Sequence, residues 1–361
     1  MKIAIRTDAS VEIGTGHVMR CLTLAKQLAH EDVEIIFISR DFQGNSIQYI
    51  ETEGFKVFTL PASSDKNHLQ WMRESWRKDA GDTAQVLQHL DKEIDLLIVD
   101  HYSLDVNWEK EIRPFVHHIM VIDDLADRIH DCDILLDQNF YLNLEKRYEG
   151  LVPASCQLLL GPNYVLLRDE FLSIDTNSIK RDGTIKKILV FFGGTDPTGE
   201  TLKTLKAISE CELNLSEIEV NVVVGAANPQ NEEIEAFCNK RPQFVFHCQV
   251  NNMAELMVKS DLAIGAGGST SWERCFLELP ALTIIVADNQ KELSKAVANK
   301  GAVYCLGESS QVTSWHIANK INEVCRTPMK MIEIINKCNG IVDPEKVKRR
   351  LVVKKIMEFQ K

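Results

Sequence analysis

His17 closes the stretch Ile13-Gly14-Thr15-Gly16-His17, two glycines and then a histidine at the start of a helical pattern. An imidazole exchanges protons near neutral pH, so this position can serve a general acid or base. Gly14 and Gly16 permit backbone torsions and close approaches that a side chain would block. A helix beginning here points free N–H groups and a positive dipole end at whatever lies in front of it, which favours an anion. A capping loop with an incidental histidine is the alternative. The spacing departs from the GxGxxG dinucleotide pattern, because Met19 stands at the third glycine position.

A second such stretch is Gly265-Ala266-Gly267-Gly268-Ser269-Thr270-Ser271-Trp272-Glu273-Arg274-Cys275. Gly267 and Gly268 let backbone N–H groups come close to a diphosphate, and Ser269, Thr270 and Ser271 add hydroxyl donors. No Lys follows in GKS or GKT form, which excludes a P-loop. Glu273 lies one turn into the helix that follows. Its carboxylate can accept bonds from ribose hydroxyls, or it can simply compensate the helix dipole. Three apolar runs also end in polar groups: Asp100-His101-Tyr102, Asp123-Asp124 and Asp137-Gln138-Asn139. Ligands bind at the carboxyl ends of strands in open α/β sheets, although Asp and Asn are also common turn residues.

The elements that must position these groups alternate between strand and helix. Strands are expected at Ile3–Arg6, Val33–Ser39, Phe55–Leu60, Asp95–Val99, Val116–Ile122 and Ile134–Leu136, with helices near His17–Ala29 and Asn45–Thr52. Lys66–Gln88 reads as polar and mostly helical. Continuous apolar runs such as Asp95–Val99 suit parallel strands buried on both faces. From Leu158 to Lys187 the pattern weakens, and then the same grammar restarts. Lys187–Phe192 reads as a strand, Gly193-Gly194-Thr195-Asp196-Pro197 as a glycine turn, and a helix is expected from near Thr198. Further strands fall at Val220–Val224, Phe244–Cys248, Asp261–Ile264 and Ala281–Val286, with helices at Asn231–Cys238 and Met253–Val258. The expected fold class is therefore α/β, with two doubly wound Rossmann-like domains. The first spans residues 1–170, a linker 171–185, the second domain 186–340, and a C-terminal helix 341–361.

A chain of 361 residues is long for one core, in keeping with two domains. Its formal charge of -11 argues against general nucleic-acid binding. The local cluster Lys346-Val347-Lys348-Arg349-Arg350 reads first as a solvated helix face. Ten scattered cysteines show neither CxxC pairs nor zinc spacing. With Met1-Lys2 leading straight into an apolar run, a cytoplasmic protein with reduced thiols is expected, without signal peptide or membrane insertion.

Taken in order, the motifs RTDASVEIGTGHVMRC, VDHYSLD, IDDLADR, LLDQN, LLGPNYVLLRDEF, FFGGTDP and GAGGSTSWERC resemble the PseG/SpsG family of UDP-sugar hydrolases, nearly end to end. That family lies within the GT-B superfamily. The resemblance implies GT-B architecture, with two domains facing a central cleft. Its best-known activity removes UDP from UDP-2,4-diacetamido-2,4,6-trideoxy-β-L-altropyranose, giving the free sugar used in pseudaminic acid synthesis. Water would attack the anomeric carbon with inversion, and no metal or cofactor would be needed. His17 matches the family's proposed general base. Asp8, or another nearby carboxylate, is a candidate to orient its ring. Gly14, Gly16 and Arg20 of the same motif, together with Tyr102, are candidate substrate contacts. Likeness to MurG-type glycosyltransferases places Glu273 on the uridine ribose, and Gly267, Gly268, Ser269 and Thr270 on the diphosphate. Gly193, Gly194 and Thr195 would form a second wall, and Asn289 and Gln290 would reach the sugar. The expected partners are a UDP-sugar and water, with the oligomeric state open.

The other histidines carry less. His101 can point away from its neighbours under strand alternation, and His117 and His118 sit in a strand start. Cys21 and Cys275 lie on helix faces expected to pack inward, which argues against catalytic thiols. Three alternatives to a hydrolase compete. A glycosyltransferase would use the same nucleotide pocket with an acceptor, but Lys66–Gln88 shows no clear basic or apolar patch for a membrane. A hydrolysing 2-epimerase shares the architecture but needs carboxylate-rich motifs. A non-catalytic UDP-sugar-binding protein would have no need of His17.

Overall fold

Strand and helix alternate along the whole chain in a computed structural model that describes residues 1–63, 67–211 and 217–360. Contacts divide the protein into two units. The first comprises Met1–Asn139, Asn143–Leu166 and Arg349–Lys361, and the second Phe140–Leu142 and Leu167–Lys348.

In the first unit, seven parallel strands form one sheet: β1 (Lys2–Thr7), β2 (Glu34–Arg40), β3 (Lys56–Leu60), β4 (Ile94–Asp100), β5 (Val116–Ile122), β6 (Ile134–Asp137) and β7 (Gln157–Leu160). Their order is β3-β2-β1-β4-β5-β6-β7. Alternate residues face opposite sides. Ile3, Ile5, Phe37, Leu96 and Ile98 pack with Val18, Cys21, Leu22 and Ala25 of helix Gly16–Leu28, and with Val352, Val353 and Ile356 near the C-terminus. Ala4, Ile36, Ile38, Leu97 and Val99 face the other way, against Ala80, Leu87, Trp108 and Ile112. Both faces are covered, and this is why the strands read as unbroken apolar runs. The expected helical cover over Lys66–Gln88 takes the form of two helices, His68–Glu74 and Trp76–Gln88. Lys66 itself lies outside the described residues. Strand β7 falls where the sequence pattern weakens: it is a four-residue edge strand, partly exposed at Leu158, and Gly161-Pro162 ends it.

In the second unit, six parallel strands follow the same plan: β8 (Lys187–Phe191), β9 (Glu219–Val224), β10 (Phe244–Cys248), β11 (Leu262–Ala266), β12 (Ala281–Ile285) and β13 (Tyr304–Glu308), ordered β10-β9-β8-β11-β12-β13. Strand β13 had no counterpart in the sequence pattern, and each of its residues is only half-buried. In both sheets the order reverses beside the first strand of the unit, between β1 and β4 and between β8 and β11. Such switch points leave a crevice outside the carboxyl ends of two adjacent strands. Among the described residues no helix is long and apolar enough to cross a membrane.

One buried ionic group fastens the first sheet to its helices. Asp79, on helix Trp76–Gln88, accepts from Arg6 at 2.7 Å, from Arg40 at 2.6 and 3.0 Å, and from Trp108 Nε1 at 2.9 Å. Burial works to raise the Asp79 carboxyl, but the two guanidinium groups outweigh it and hold the group below its ordinary value. Asp79→Ala leaves Arg6 with Asp8 and Arg40 with Asp82. The expected loss is therefore about 3 kcal/mol, the lower end of what breaking a buried ion pair costs, read from the urea midpoint. Because the folded value is depressed, this stability is present above the unfolded carboxylate range and is lost as the pH falls through the folded value.

Candidate active site

The first crevice is built by the loop after β1 and the end of β4. Ser10 folds the loop by accepting from the N–H groups of Glu12 at 3.2 Å and Ile13 at 3.0 Å, and Gly14 takes φ +76°, which favours glycine. The chain then enters helix Gly16–Leu28. No side chain caps the N-terminus of this helix, and its first turn holds no acidic residue. Gly16 is exposed, whereas His17 is 6% exposed. Parallel register sets Asp100, the last residue of β4, beside Thr7 of β1.

His17 Nδ1 lies 2.6 Å from Asp100 Oδ1. A carboxylate only accepts, so Nδ1 is the donor and the lone pair of the neutral ring falls on Nε2. One turn along the helix, Arg20 grips both oxygens of the same carboxylate, Nε to Oδ2 at 2.8 Å and Nη2 to Oδ1 at 2.7 Å. Its Nη1 reaches Asp124 Oδ2 at 3.2 Å. Burial works to raise the Asp100 carboxyl, but Arg20 and then His17 outweigh it, leaving the group well below the ordinary carboxylate range. Tyr102 sets its ring edge-on to His17, with centroids 4.3 Å apart at 83°. The arrangement is a histidine fixed in one tautomer and orientation, able to take a proton at Nε2.

Two expectations for this unit are corrected. Asp8 does not orient His17; it is wholly buried, pairs with Arg6 at 2.7 Å and accepts the Arg40 N–H at 2.7 Å. The orienting carboxylate is Asp100. The three polar strand ends also divide. Asp123 and Asp137 both accept from Tyr148 OH, at 3.0 and 3.1 Å, and they bond Arg128 and Arg147. They hold loops in place, and burial pushes Asp137 up to about 7. His101 is buried behind His17. Its Nδ1 accepts the Ser103 N–H at 3.0 Å, its Nε2 stands 3.6 Å from Asp8, and burial pushes its imidazole down to about 4.

The second unit has its own crevice at β8 and β11. After β8, Gly193 takes φ +96°, and Gly194 and Thr195 are exposed. Gly225 presses on this turn so closely that a Cβ there would lie 2.3 Å from Gly194 O. Asp196 caps the next helix by accepting from Glu200 and Thr201 N–H at 3.0 and 2.8 Å, so the helix begins at Glu200 rather than near Thr198. After β11, a Cβ at Gly267 would lie 2.0 Å from Ser294 Oγ. Gly267 donates its N–H to Ile284 O at 3.2 Å. It therefore shapes the turn but has no donor to offer a ligand, and the donors of this turn begin at Gly268.

Ser269 is exposed, and Thr270 opens helix Thr270–Phe276. Gln290, beside Gly268, accepts the Val286 N–H at 3.1 Å, while Asn289 is exposed in the short turn Asp288–Gln290. Half-buried Glu273 receives Arg168 Nη2 at 3.3 Å. Burial raises its carboxyl, with Arg168 opposing.

Asp100, Asp124, Arg168 and Ser294 were not singled out as site residues. The first two stood at strand ends already marked as polar, which was the available signal. Arg168 sits inside LLGPNYVLLRDEF with nothing local to tie it to Glu273.

The glycosyltransferase family 28 C-terminal domain matches residues 188–343. The chain is 28% identical over 303 residues to a UDP-2,4-diacetamido-2,4,6-trideoxy-beta-L-altropyranose hydrolase of Campylobacter jejuni, across 83% of this chain and 97% of that one. It is 26% identical over 313 residues to the spore coat polysaccharide biosynthesis protein SpsG of Bacillus subtilis, across 85% and 84%. An uncharacterized protein of Methanocaldococcus jannaschii is 29% identical over 299 residues, which span 81% of this chain but only 57% of that longer protein. Among solved structures, MurG of Acinetobacter baumannii superposes with a TM-score of 0.67 at 15% identity, over 99% of each chain. The fold is GT-B, as expected from the sequence.

Proposed function

We propose that the protein hydrolyses a UDP-linked 2,4-diacetamido-2,4,6-trideoxy sugar, UDP-2,4-diacetamido-2,4,6-trideoxy-β-L-altropyranose, to UDP and the free sugar. Water attacks the anomeric carbon with inversion, and the product serves pseudaminic acid synthesis. The observation that carries the proposal is the His17–Asp100 pair at 2.6 Å, in a chain similar to a named hydrolase of that substrate. His17 Nε2 takes the proton of the attacking water as the C1–O bond to UDP breaks. UDP is a good leaving group, so one base meets the chemical need and no separate acid is required. Gly268, Ser269 and Thr270 donate to the diphosphate, Gly193, Gly194 and Thr195 wall it, and Glu273 accepts from the ribose. Tyr102, Asn289 and Gln290 contact the sugar.

The match of residues 188–343 to a glycosyltransferase domain keeps a transferase as the second possibility. UDP release separates the two. Rapid release of UDP from the diacetamido altropyranose donor in buffer alone supports hydrolysis. A donor that stays intact until a sugar or lipid acceptor is added overturns it. The ribose assignment has its own test. Glu273→Ala should weaken UDP binding about 10- to 100-fold, the worth of hydrogen bonds to a charged group, while turnover at saturation persists. Unchanged affinity in calorimetry would remove Glu273 from the nucleotide.

A further inference from the structure

Asp100 poses an electrostatic problem for the base it holds. Its side chain is wholly buried and 2.6 Å from His17 Nδ1. A buried carboxylate that close favours the charged imidazolium, and an imidazolium has no lone pair with which to take a proton from water. The structure supplies the counterweight. Arg20 engages both Asp100 oxygens at 2.7 and 2.8 Å, and its Nη2 stands 3.5 Å from His17 Nδ1. Its guanidinium is permanently charged and its fork matches the carboxylate. Asp124, on the far side of Arg20 at 3.2 Å, is 13% exposed and so better screened than Asp100.

We propose that Arg20 is a positioning residue that compensates the Asp100 charge, so that removing it tips His17 towards the imidazolium, which cannot act as a base. The proposal rests on the hydrolase function above, and it replaces a substrate-binding role for Arg20. The groups facing His17 fit it. From its own helix come Arg20 and Cys21, whose Sγ lies 3.5 Å from Asp100 Oδ2. From the end of β4 come Asp100, His101 and Tyr102; His101 is pushed down to about 4 by burial, so it adds no positive charge near neutrality. Asp124 pairs with Arg20 on the side away from Asp100, and Asp8 lies beyond His101, engaged by Arg6. Arg20 is thus the one cation that touches both members of the pair among the described residues.

The sign of the expected effect follows. Without the guanidinium, Asp100 is uncompensated, the imidazolium is favoured, and the acidic limb of the kcat/KM profile moves to higher pH. Arg20→Met should shift that limb by about one pH unit or more, the effect of a charge at this range. Activity near pH 7 should fall severalfold, by no more than about tenfold for a one-unit move of the limb, and largely return near pH 9, with KM changed by less than about threefold. Arg20→Lys keeps the charge without the fork and should move the limb less than half as far. The NMR titration of the His17 ring in ligand-free protein should move in the same direction, and this readout needs no turnover. Should the wild type show no hydrolysis, the proposed function fails while the ring titration still decides the role of Arg20. A raised KM with limb and ring titration both unmoved would make Arg20 a substrate ligand and overturn the proposal.

Discussion

If the proposed hydrolysis holds, His17→Ala should lower its kcat by about 10²- to 10⁴-fold, the usual worth of a positioned general base, and leave UDP affinity within about twofold. The split follows from where the residue stands. His17 belongs to the first unit, at the crevice beside β1 and β4, and its polar contacts are Asp100 and Arg20 of that same unit. The groups assigned to the nucleotide are Gly268, Ser269, Thr270 and Glu273, all in the second unit. The imidazole is 6% exposed, but its Nδ1 bond is to a side chain rather than to a backbone ladder, so the cost to folding is modest beside the kinetic loss. The check is steady-state kinetics beside UDP calorimetry on the same preparation. A variant with near-normal kcat would remove His17 from the mechanism.

Asp100→Asn should be almost as damaging, for a different reason. The amide keeps the shape, but its NH₂ can donate to Nδ1, which places the ring hydrogen on Nε2 and leaves no lone pair toward water. A loss of about 10²-fold or more in kcat is expected on the strength of general base catalysis alone. The residual activity should carry its own mark. With the negative charge gone and Arg20 retained, the imidazolium is disfavoured, and the acidic limb of kcat/KM moves to lower pH. This is opposite in direction to Arg20→Met. Kinetics across pH check both signs, and a profile unmoved by Asp100→Asn would break the link between the two residues.

Much of this was legible in the chain. The apolar runs of β1, β4, β5 and β8 specify two-faced parallel strands, and the glycine turns mark both crevices. What escaped is long-range or peripheral. His17 and Asp100 lie 83 residues apart, and Arg168 and Glu273 lie 105 apart. Only the pairing of Thr7 with Asp100 brings the first two together. Asp8 was the nearer carboxylate in sequence, yet it lies just past the end of β1 and is taken up by Arg6 at 2.7 Å. Gly267 looked like a donor because glycine permits close approach, whereas here it makes room for Ser294. The edge strands β7 and β13 escaped although Leu158–Leu160 and Ala302–Leu306 are short apolar runs, because β7 is cut off by Gly161-Pro162 and β13 is interrupted at Gly307.

The central claim is direct attack of water at the anomeric carbon, with His17 as base. The most direct measurement is a proton NMR time course on the diacetamido altropyranose donor, read before the free sugar mutarotates. Water attack assisted by His17 predicts that the first sugar signal is the inverted anomer, appearing with UDP and absent with His17→Ala. A first product of retained configuration would mean a double displacement through a covalent or shielded intermediate, and would contradict the account.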